Sequence, residues 1–157
     1  MIILTGSQGF IGKHFLKKLN DEVIKVEQDN AFKFLSSFNQ WDKVSLILHQ
    51  GAISSTTERN ISTLHHHNVA FTLMLFDYAI EHQIPVKFAS SASVYGNTNG
   101  QINPLNYYAI TKLQIDYFIQ DNLDKFSSIQ SFRYFNVYGE GEEHKGDQAS
   151  PISKFTK

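Results

Sequence analysis

Two groups of residues in this chain of 157 have types and spacings that could do chemistry. The first is Thr5-Gly6-Ser7-Gln8-Gly9-Phe10-Ile11-Gly12. Gly6 permits a tight turn, Gly9 lets backbone amides approach a pyrophosphate at a helix N-terminus, and Gly12 lets that helix pack closely on a strand. The spacing is G-x-x-G-x-x-G, not G-x-G-x-x-G. Glu27 follows Gly6 by twenty-one residues, at the end of the second apolar run. A carboxylate there can accept from a ribose 2′-hydroxyl. It would repel a 2′-phosphate, which favours NAD over NADP, while Lys25 and Lys33 lie near enough in sequence to pull the other way. The expectation is a site for NAD or NADP. The plainer alternative, a glycine turn that only joins strand to helix, leaves the acid unexplained.

The second group is Ser90-Ser91-Ala92-Ser93-Val94-Tyr95-Gly96 together with Tyr108-Ala109-Ile110-Thr111-Lys112. The serines follow a strand, which puts their hydroxyls at the carboxyl edge of a sheet, where cofactors bind. A tyrosine and a lysine four apart on a helix share one face. The ammonium of Lys112 could lower the Tyr108 pKa from about 10 toward working pH by favouring the phenolate. A nearby serine could hold a substrate oxygen while the phenolate takes its proton. Such pairs also arise by chance on amphipathic helices, so the reading leans on the glycine turn and serine cluster beside it.

These residues need elements to hold them. Ile2-Ile3-Leu4 is a short buried-strand run, and Phe10, Ile11, Phe15, Leu16 and Leu19 then follow one helical face as far as Asn20-Asp21. Val23, Ile24 and Val26 read as a second strand, residues 31–38 as a short helix, and residues 44–48 as a third strand. Residues 61–82 read as one long helix. Residues 86–89 form a strand after Pro85, residues 106–123 a helix, and residues 128–135 a last strand. Strands alternating with helices predict βαβ units, a mostly parallel sheet and right-handed crossovers. Residues 139–157 are polar, with Glu140, Glu142, Glu143, His144, Lys145 and Asp147 close together.

Composition excludes other classes. Hydrophobic residues make up 41% and charged residues 18%, the profile of a globular domain. Lys plus Arg (14) nearly cancels Asp plus Glu (15), so no global field exists to hold nucleic acid or an anionic membrane. The absence of cysteine removes disulfides, thiolate catalysis and Cys-ligated zinc, and fits a reducing compartment. No basic n-region and no long apolar segment are seen, so neither a signal peptide nor a membrane span is expected, and the location expected is the cytoplasm. His65-His66-His67 invites a metal reading, but consecutive helical residues point about 100° apart and cannot converge on one ion. A solvated helix start is the expectation. The twenty-one aromatics fall mostly at apolar positions without a basic stripe, which points to core packing.

In these motifs the chain resembles the extended short-chain dehydrogenase/reductase family. Its TGxxGxxG turn matches residues 5–12, its serine loop residues 90–96, and its YxxxK motif residues 108–112. Three further stretches, residues 49–58 (HQGAISSTTE), 133–139 (RYFNVYG) and 144–146 (HKG), are similar to the branch of epimerases acting on ADP-linked heptoses. The resemblance implies a Rossmann-like doubly wound sheet and an NAD(P)-dependent nucleotide-sugar epimerase. Hydride leaves the sugar carbon C6″ to give a transient ketone and returns to the opposite face. It further implies Tyr108 as one acid/base, Lys112 as its cofactor-anchoring partner, Ser91 orienting the substrate oxygen, and Lys145 as the second acid/base. Asn136 and Ser54 would contact substrate. Gly6, Gly9, Phe10, Ile11, Gly12, Glu27, Gln50, Gly51, Ala52, Ser54, Asn68 and Val137 would line the cofactor groove. Taken by itself, Lys145 beside Glu142 and Glu143 reads equally as a solvated lysine. The family resemblance also implies an oligomer.

Two departures from that family shape the expectations. Its members run to roughly twice this length, their second half closing over the sugar nucleotide. Residues 1–138 are therefore expected to form the cofactor domain, and residues 139–157 the start of a substrate-binding region whose lobe is absent. Only sixteen residues separate Glu27 from Val44, too few for helix, strand and second helix. One family strand should be missing, leaving five or six with the second at an edge. The sequence also leaves open another extended short-chain enzyme, such as a 4-epimerase or dehydratase, and a non-catalytic nucleotide-binding module.

Overall fold

Apolar residues fill both faces of the strands, and that pattern dictates a sheet covered on two sides. In the computed structural model, which describes residues 1–142, the strands are β1 (Ile2–Thr5), β2 (Val23–Val26), β3 (Leu46–His49), β4 (Val86–Ser91) and β5 (Ile129–Tyr134). The helices are α1 (Phe10–Lys18), α2 (Ala31–Ser37), α3 (Ile61–Leu64), α4 (Phe71–Glu81) and α5 (Tyr107–Asp121). All strand pairs are parallel, in the order β2-β1-β3-β4-β5. Successive residues point to opposite faces. Ile3, Ile47 and Phe88 meet Leu75, Phe76, Ile115 and Ile119 from α4 and α5 on one side. Ile2, Leu4 and Leu48 meet Phe15, Leu16 and Leu19, on α1 and just after it, on the other. This is the doubly wound α/β architecture expected, with five strands.

Register aligns the carboxyl ends that matter. Thr5 stands opposite both Val26 and His49, and Ser91 opposite Tyr134. The glycine turn, the serine cluster and the segment after β5 therefore emerge from one edge of the sheet, with α5 packed against β4 behind them.

The short link between β2 and β3 holds α2 and a single 3₁₀ turn, Trp41–Lys43. Among the described residues no strand stands between β2 and β3, so β2 is an edge strand, as the residue count required. Aromatic rings pack this link. Trp41 stacks on Tyr78 (centroids 4.5 Å apart) and meets Phe34 and Phe38 edge-on, while its indole Nε1 donates to Phe38 O at 3.0 Å. Here the aromatics are core, as their apolar positions implied.

Several boundaries differ from the sequence expectation, and β4 runs on through Ser91, so Ser90 and Ser91 close that strand rather than follow it. The third strand begins at Leu46 rather than Val44, because the Val44 N–H closes the 3₁₀ turn on Trp41 O. Residues 61–82 are not a uniform α-helix: His65–Ala70 is π-helical, between α3 and α4. That extra residue in the turn re-aims the side chains that follow. His65 and His66 remain exposed, and His66 stacks on Phe32 of α2 at 4.2 Å.

Trp41 is 5% exposed and is the anchor of the shortened link. Trp41→Ala should cost about 3–5 kcal/mol of folding stability, read by urea titration, and Trp41→Phe clearly less. A cost within experimental error would show that the ring cluster does not hold the link.

Candidate active site

The glycine turn is built by close approach. Gly6 has φ +67°, and a Cβ there would sit 2.6 Å from Gly51 Cα; a Cβ on Gly12 would sit 2.0 Å from Gly6 O. Gly9 precedes α1 as its N-cap, and the first turn of α1 carries no acid. The positive end of the helix thus faces the space before it.

Gly51 and Thr5 tie the turn to the rest of the edge. The Gly51 N–H donates to Thr5 Oγ1 (2.8 Å), which lies 2.6 Å from His49 Nδ1. His49 Nε2 lies 2.7 Å from Thr72 Oγ1, and the Thr72 hydroxyl donates to Asn68 O at 2.7 Å. Thr72 has one proton and spends it on Asn68, so His49 must carry its proton on Nε2 and accept from Thr5 at Nδ1. Burial, aided by the charge of Lys112, pushes the His49 pKa down to about 3, so the ring is neutral. Asn68 continues the chain of contacts. Its Oδ1 accepts from Ile53 N (2.8 Å), and its Nδ2 donates to Ile53 O (3.0 Å) and Thr111 Oγ1 (3.2 Å). Buried and fully engaged, Asn68 fastens the 50–54 loop to α5 rather than lining a cavity.

The side chains expected to do chemistry converge. Asn106 caps α5 by accepting from Ala109 N, which starts the helix so that Tyr108 and Lys112 share a face. The Ser91 hydroxyl accepts from Ser93 N (3.2 Å) and Ser93 Oγ (2.8 Å), leaving its own proton to donate. Burial raises the Tyr108 pKa, and the hydrogen bond from Ser91 opposes that rise. The lowering expected from Lys112 does not prevail. The lysine Nζ donates to Ala89 O at 2.7 Å and sits 4.7 Å over the Phe88 ring, 5.9 Å from the Tyr108 ring centre. Burial pushes Lys112 itself down to about 8 against the charge of Asp116.

A cavity of about 390 Å³ runs from the glycine turn to this set. It is lined by Gly6, Gly9, Phe10, Ile11, Gly12, Gln50, Ala52, Ser54, Ser91, Tyr108, Lys112, Asn136 and Val137, all read from the sequence. Tyr134, Phe135 and Glu142 also line it and were not foreseen. Tyr134 follows from register alone, since it stands opposite Ser91. Glu27 and Gly51 line an adjoining pocket of about 150 Å³ with Ala31, His67 and Phe71; the π-helical turn that aims His67 there leaves no simple sequence mark. A further open cleft of about 690 Å³, which includes Thr56, Ser93 and Tyr95, shares Ser91, Tyr108, Tyr134 and Asn136 with the first cavity. Ser91 and Tyr108 therefore stand where two spaces meet. Lys145 lies outside the described residues.

These features suit a dinucleotide. Gly6 and Gly12 leave no room for a Cβ, Gly9 caps the helix between them, and Gln50 stands in the cavity wall with its side chain hydrogen-bonded to Tyr134. No helix among the described residues is long and apolar enough to cross a membrane.

Such a sheet edge is that of a doubly wound α/β protein with a groove at the carboxyl ends of its strands. The chain matches the model of the NAD dependent epimerase/dehydratase family over residues 2–157 and belongs to that family. It is similar to the ADP-L-glycero-D-manno-heptose-6-epimerase of Helicobacter pylori, with a TM-score of 0.80 and 29% identity over 98% of this chain and 60% of that one. The UDP-N-acetylglucosamine 4-epimerase of Methanobrevibacter ruminantium superposes with a TM-score of 0.82 at 22% identity, over 98% of this chain and 60% of that one. The UDP-glucose 4-epimerase of Thermus thermophilus, solved as its complex with NAD, gives 0.75 at 21% identity, over 88% and 56%. These last two show the fold alone. The chain spans about 60% of the length of these structures.

Lys112 binds its proton less tightly when folded than when unfolded. Between about pH 8 and its ordinary value near 10.5, the unfolded chain holds more protons, so stability rises with pH. The gain should reach roughly 2–3 kcal/mol by pH 10, beyond which the raised pKa of Tyr108 turns the trend downward. Urea titrations across this range should show that rise, and Lys112→Met should abolish it. A flat profile would mean that the ammonium is not buried.

Proposed function

We propose that residues 1–138 bind NAD and that the protein acts as a nucleotide-sugar epimerase of the ADP-heptose type. The observation that carries this reading is the position of Ser91 and Tyr108 between the cofactor-shaped cavity and the open cleft, with Lys112 buried behind them. A group standing between the two spaces can take or give the hydroxyl proton of a substrate in the cleft while that substrate's hydride passes to or from a redox partner in the cavity. A bound nicotinamide would supply reversible hydride acceptance. The turn at Gly6, Gly9 and Gly12, with Phe10 and Ile11 at the start of α1, would hold its pyrophosphate. Gln50, Gly51, Ala52, Ser54 and Val137 would line the groove, and Glu27 would take the adenosine ribose and favour NAD over NADP. Asn68 acts through the 50–54 loop, as a positioning residue.

On the substrate side, the Ser91 hydroxyl would orient the sugar oxygen. Tyr108, once its phenol has given up its proton, would take the proton from that oxygen as the alcohol is oxidised and return it as the ketone is reduced, the second step being favoured by the burial that raises its pKa. Inversion needs proton handling on both faces of a planar ketone, and Lys145 would serve the second face. Asn136 and Ser54 would touch the sugar nucleotide. The heptose assignment, with oxidation at C6″, is supported by the SSTTE and HKG stretches and by the 29% identity with the Helicobacter pylori enzyme. A cytoplasmic homo-oligomer, with residues 139–157 opening the substrate-binding region, completes the proposal.

The test is interconversion of the two C6″ epimers of ADP-heptose in the presence of NAD, with a C6″ deuterium label retained, beside calorimetric titration with NAD. Tyr108→Phe should bind NAD within about twofold of the parent and lose interconversion by about a hundredfold or more. Epimerisation of UDP-sugars only would overturn the substrate. Normal binding with no epimerisation in the parent would mark a binding module instead.

A further inference from the structure

Beyond the site that the proposed function uses, the structure singles out a residue of the glycine turn that does not itself line either cavity. Ser7 is buried, 3% exposed, and its Oγ donates to Glu27 Oε1 at 2.5 Å. That is the length of a charge-assisted O–H···O⁻ bond. The Gln8 N–H donates to the same oxygen at 3.2 Å. The backbone of Glu27 is held as well, its N–H donating to Asn30 Oδ1 at 2.9 Å and its carbonyl accepting from Asn30 N at 3.2 Å. Two donors from the turn thus converge on Oε1, whereas Oε2 has no partner among the described residues. Glu27 lines both the 150 Å³ pocket and an outer space bounded by Gln8, Gln28, Asp29 and His67.

Resting on the dinucleotide reading above, we infer that Ser7 is a positioning residue that pins Glu27 by one oxygen, so that the other faces the ribose diol and discriminates against a 2′-phosphate. The physical reason lies in the geometry of a carboxylate. An unpinned glutamate can rotate away from a phosphate and accommodate it, whereas a pinned one keeps its charge in place. It also spends no rotamer freedom when the diol arrives. The other groups around the space do not supply the same selectivity. Asp29 adds negative charge but lacks the clamp. Burial and the charge of His66 lower the pKa of His67, so that ring brings no cation to attract a phosphate at neutral pH.

The experiment is calorimetric titration of the whole chain with NAD and NADP, for the parent, Ser7→Ala, Glu27→Gln and the double variant. Ser7→Ala should weaken NAD binding by about three- to tenfold and leave NADP unchanged or tighter, so the NAD/NADP ratio falls. In the Glu27→Gln background the same change should leave the ratio where it was, because the charge it positions is gone. Equal weakening of both nucleotides by Ser7→Ala would assign Ser7 a structural role and overturn the inference. So would an undiminished shift of the ratio in the Glu27→Gln background. If Ser7→Ala melts too early to titrate, Ser7→Cys keeps the bulk, replaces the strong donor with a weak one, and must show the same fall in ratio. Binding of neither nucleotide by the parent would remove the dinucleotide reading itself, a result distinct from an unmoved ratio.

Discussion

The neutral imidazole of His49 is the constraint on which the rest of the edge depends. It sits at the end of the central strand β3 and bridges a threonine from β1 to a threonine from α4. Through Thr5 it reaches the Gly51 amide, and through Thr72 the Asn68 carbonyl. Each hydroxyl in this chain gives one proton and takes one, so the direction of every bond follows from the direction of its neighbour. A charged His49 would have to donate at Nδ1 as well. Thr5 would then need to turn its proton elsewhere while still accepting from Gly51. The ring is buried, and Lys112 lies near enough for its charge to oppose a second one. Neutrality is therefore a condition of the site's geometry.

From that anchor hydrogen bonds position the remaining parts. Asn68 carries the order from the π-helical turn to the 50–54 loop and to Thr111, whose hydroxyl in turn donates to Tyr108 O. A second network works from the far side. Asp116 accepts from Ser90, Ser131 and Arg133, and Arg133 reaches Tyr95, so β4, β5, α5 and the serine loop share one carboxylate. That carboxylate also moderates the burial cost of the Lys112 ammonium. Tyr108 and Lys112 are thus shifted in opposite directions, the phenol upward and the ammonium downward, by the same burial. Two perturbed titrating groups in one cavity are characteristic of a site that moves protons.

The sequence reveals the parts of this arrangement whose physics is local. Glycine spacing announces a close approach, alternation of strands and helices announces a parallel sheet, and parallel strands bring their carboxyl ends to one edge. Tyr108 and Lys112 could therefore be set beside the serine cluster from spacing, and the family resemblance singles out Ser91 within it. Features that depend on three-dimensional accounting stay hidden. The direction of the Tyr108 shift is one, because it depends on where the Lys112 ammonium finds its acceptor. The register of Tyr134 against Ser91 is another, since strand ends fix it rather than residue type. The π-helical turn at His65–Ala70 is a third: its residues have no distinguishing composition, yet the turn decides that Asn68 points inward and that His67 reaches the pocket beside Glu27.

The short link between β2 and β3 leaves β2 at the sheet edge, where it is only four residues long and presents Lys25 to solvent, both features that discourage pairing with another chain. The link itself is packed by rings: Trp41 stacks on Tyr78, Phe34 stacks on Phe38, and both phenylalanines meet Trp41 edge-on. The same link also closes a wall of the pocket beside Glu27, where Ala31 from α2 faces His67 and Phe71. Stability and the adenosine end of the groove are therefore coupled through α2. A change that loosens Trp41 would widen the pocket from behind, whereas a change at Glu27 or Ser7 would alter its chemistry and leave the ring cluster intact.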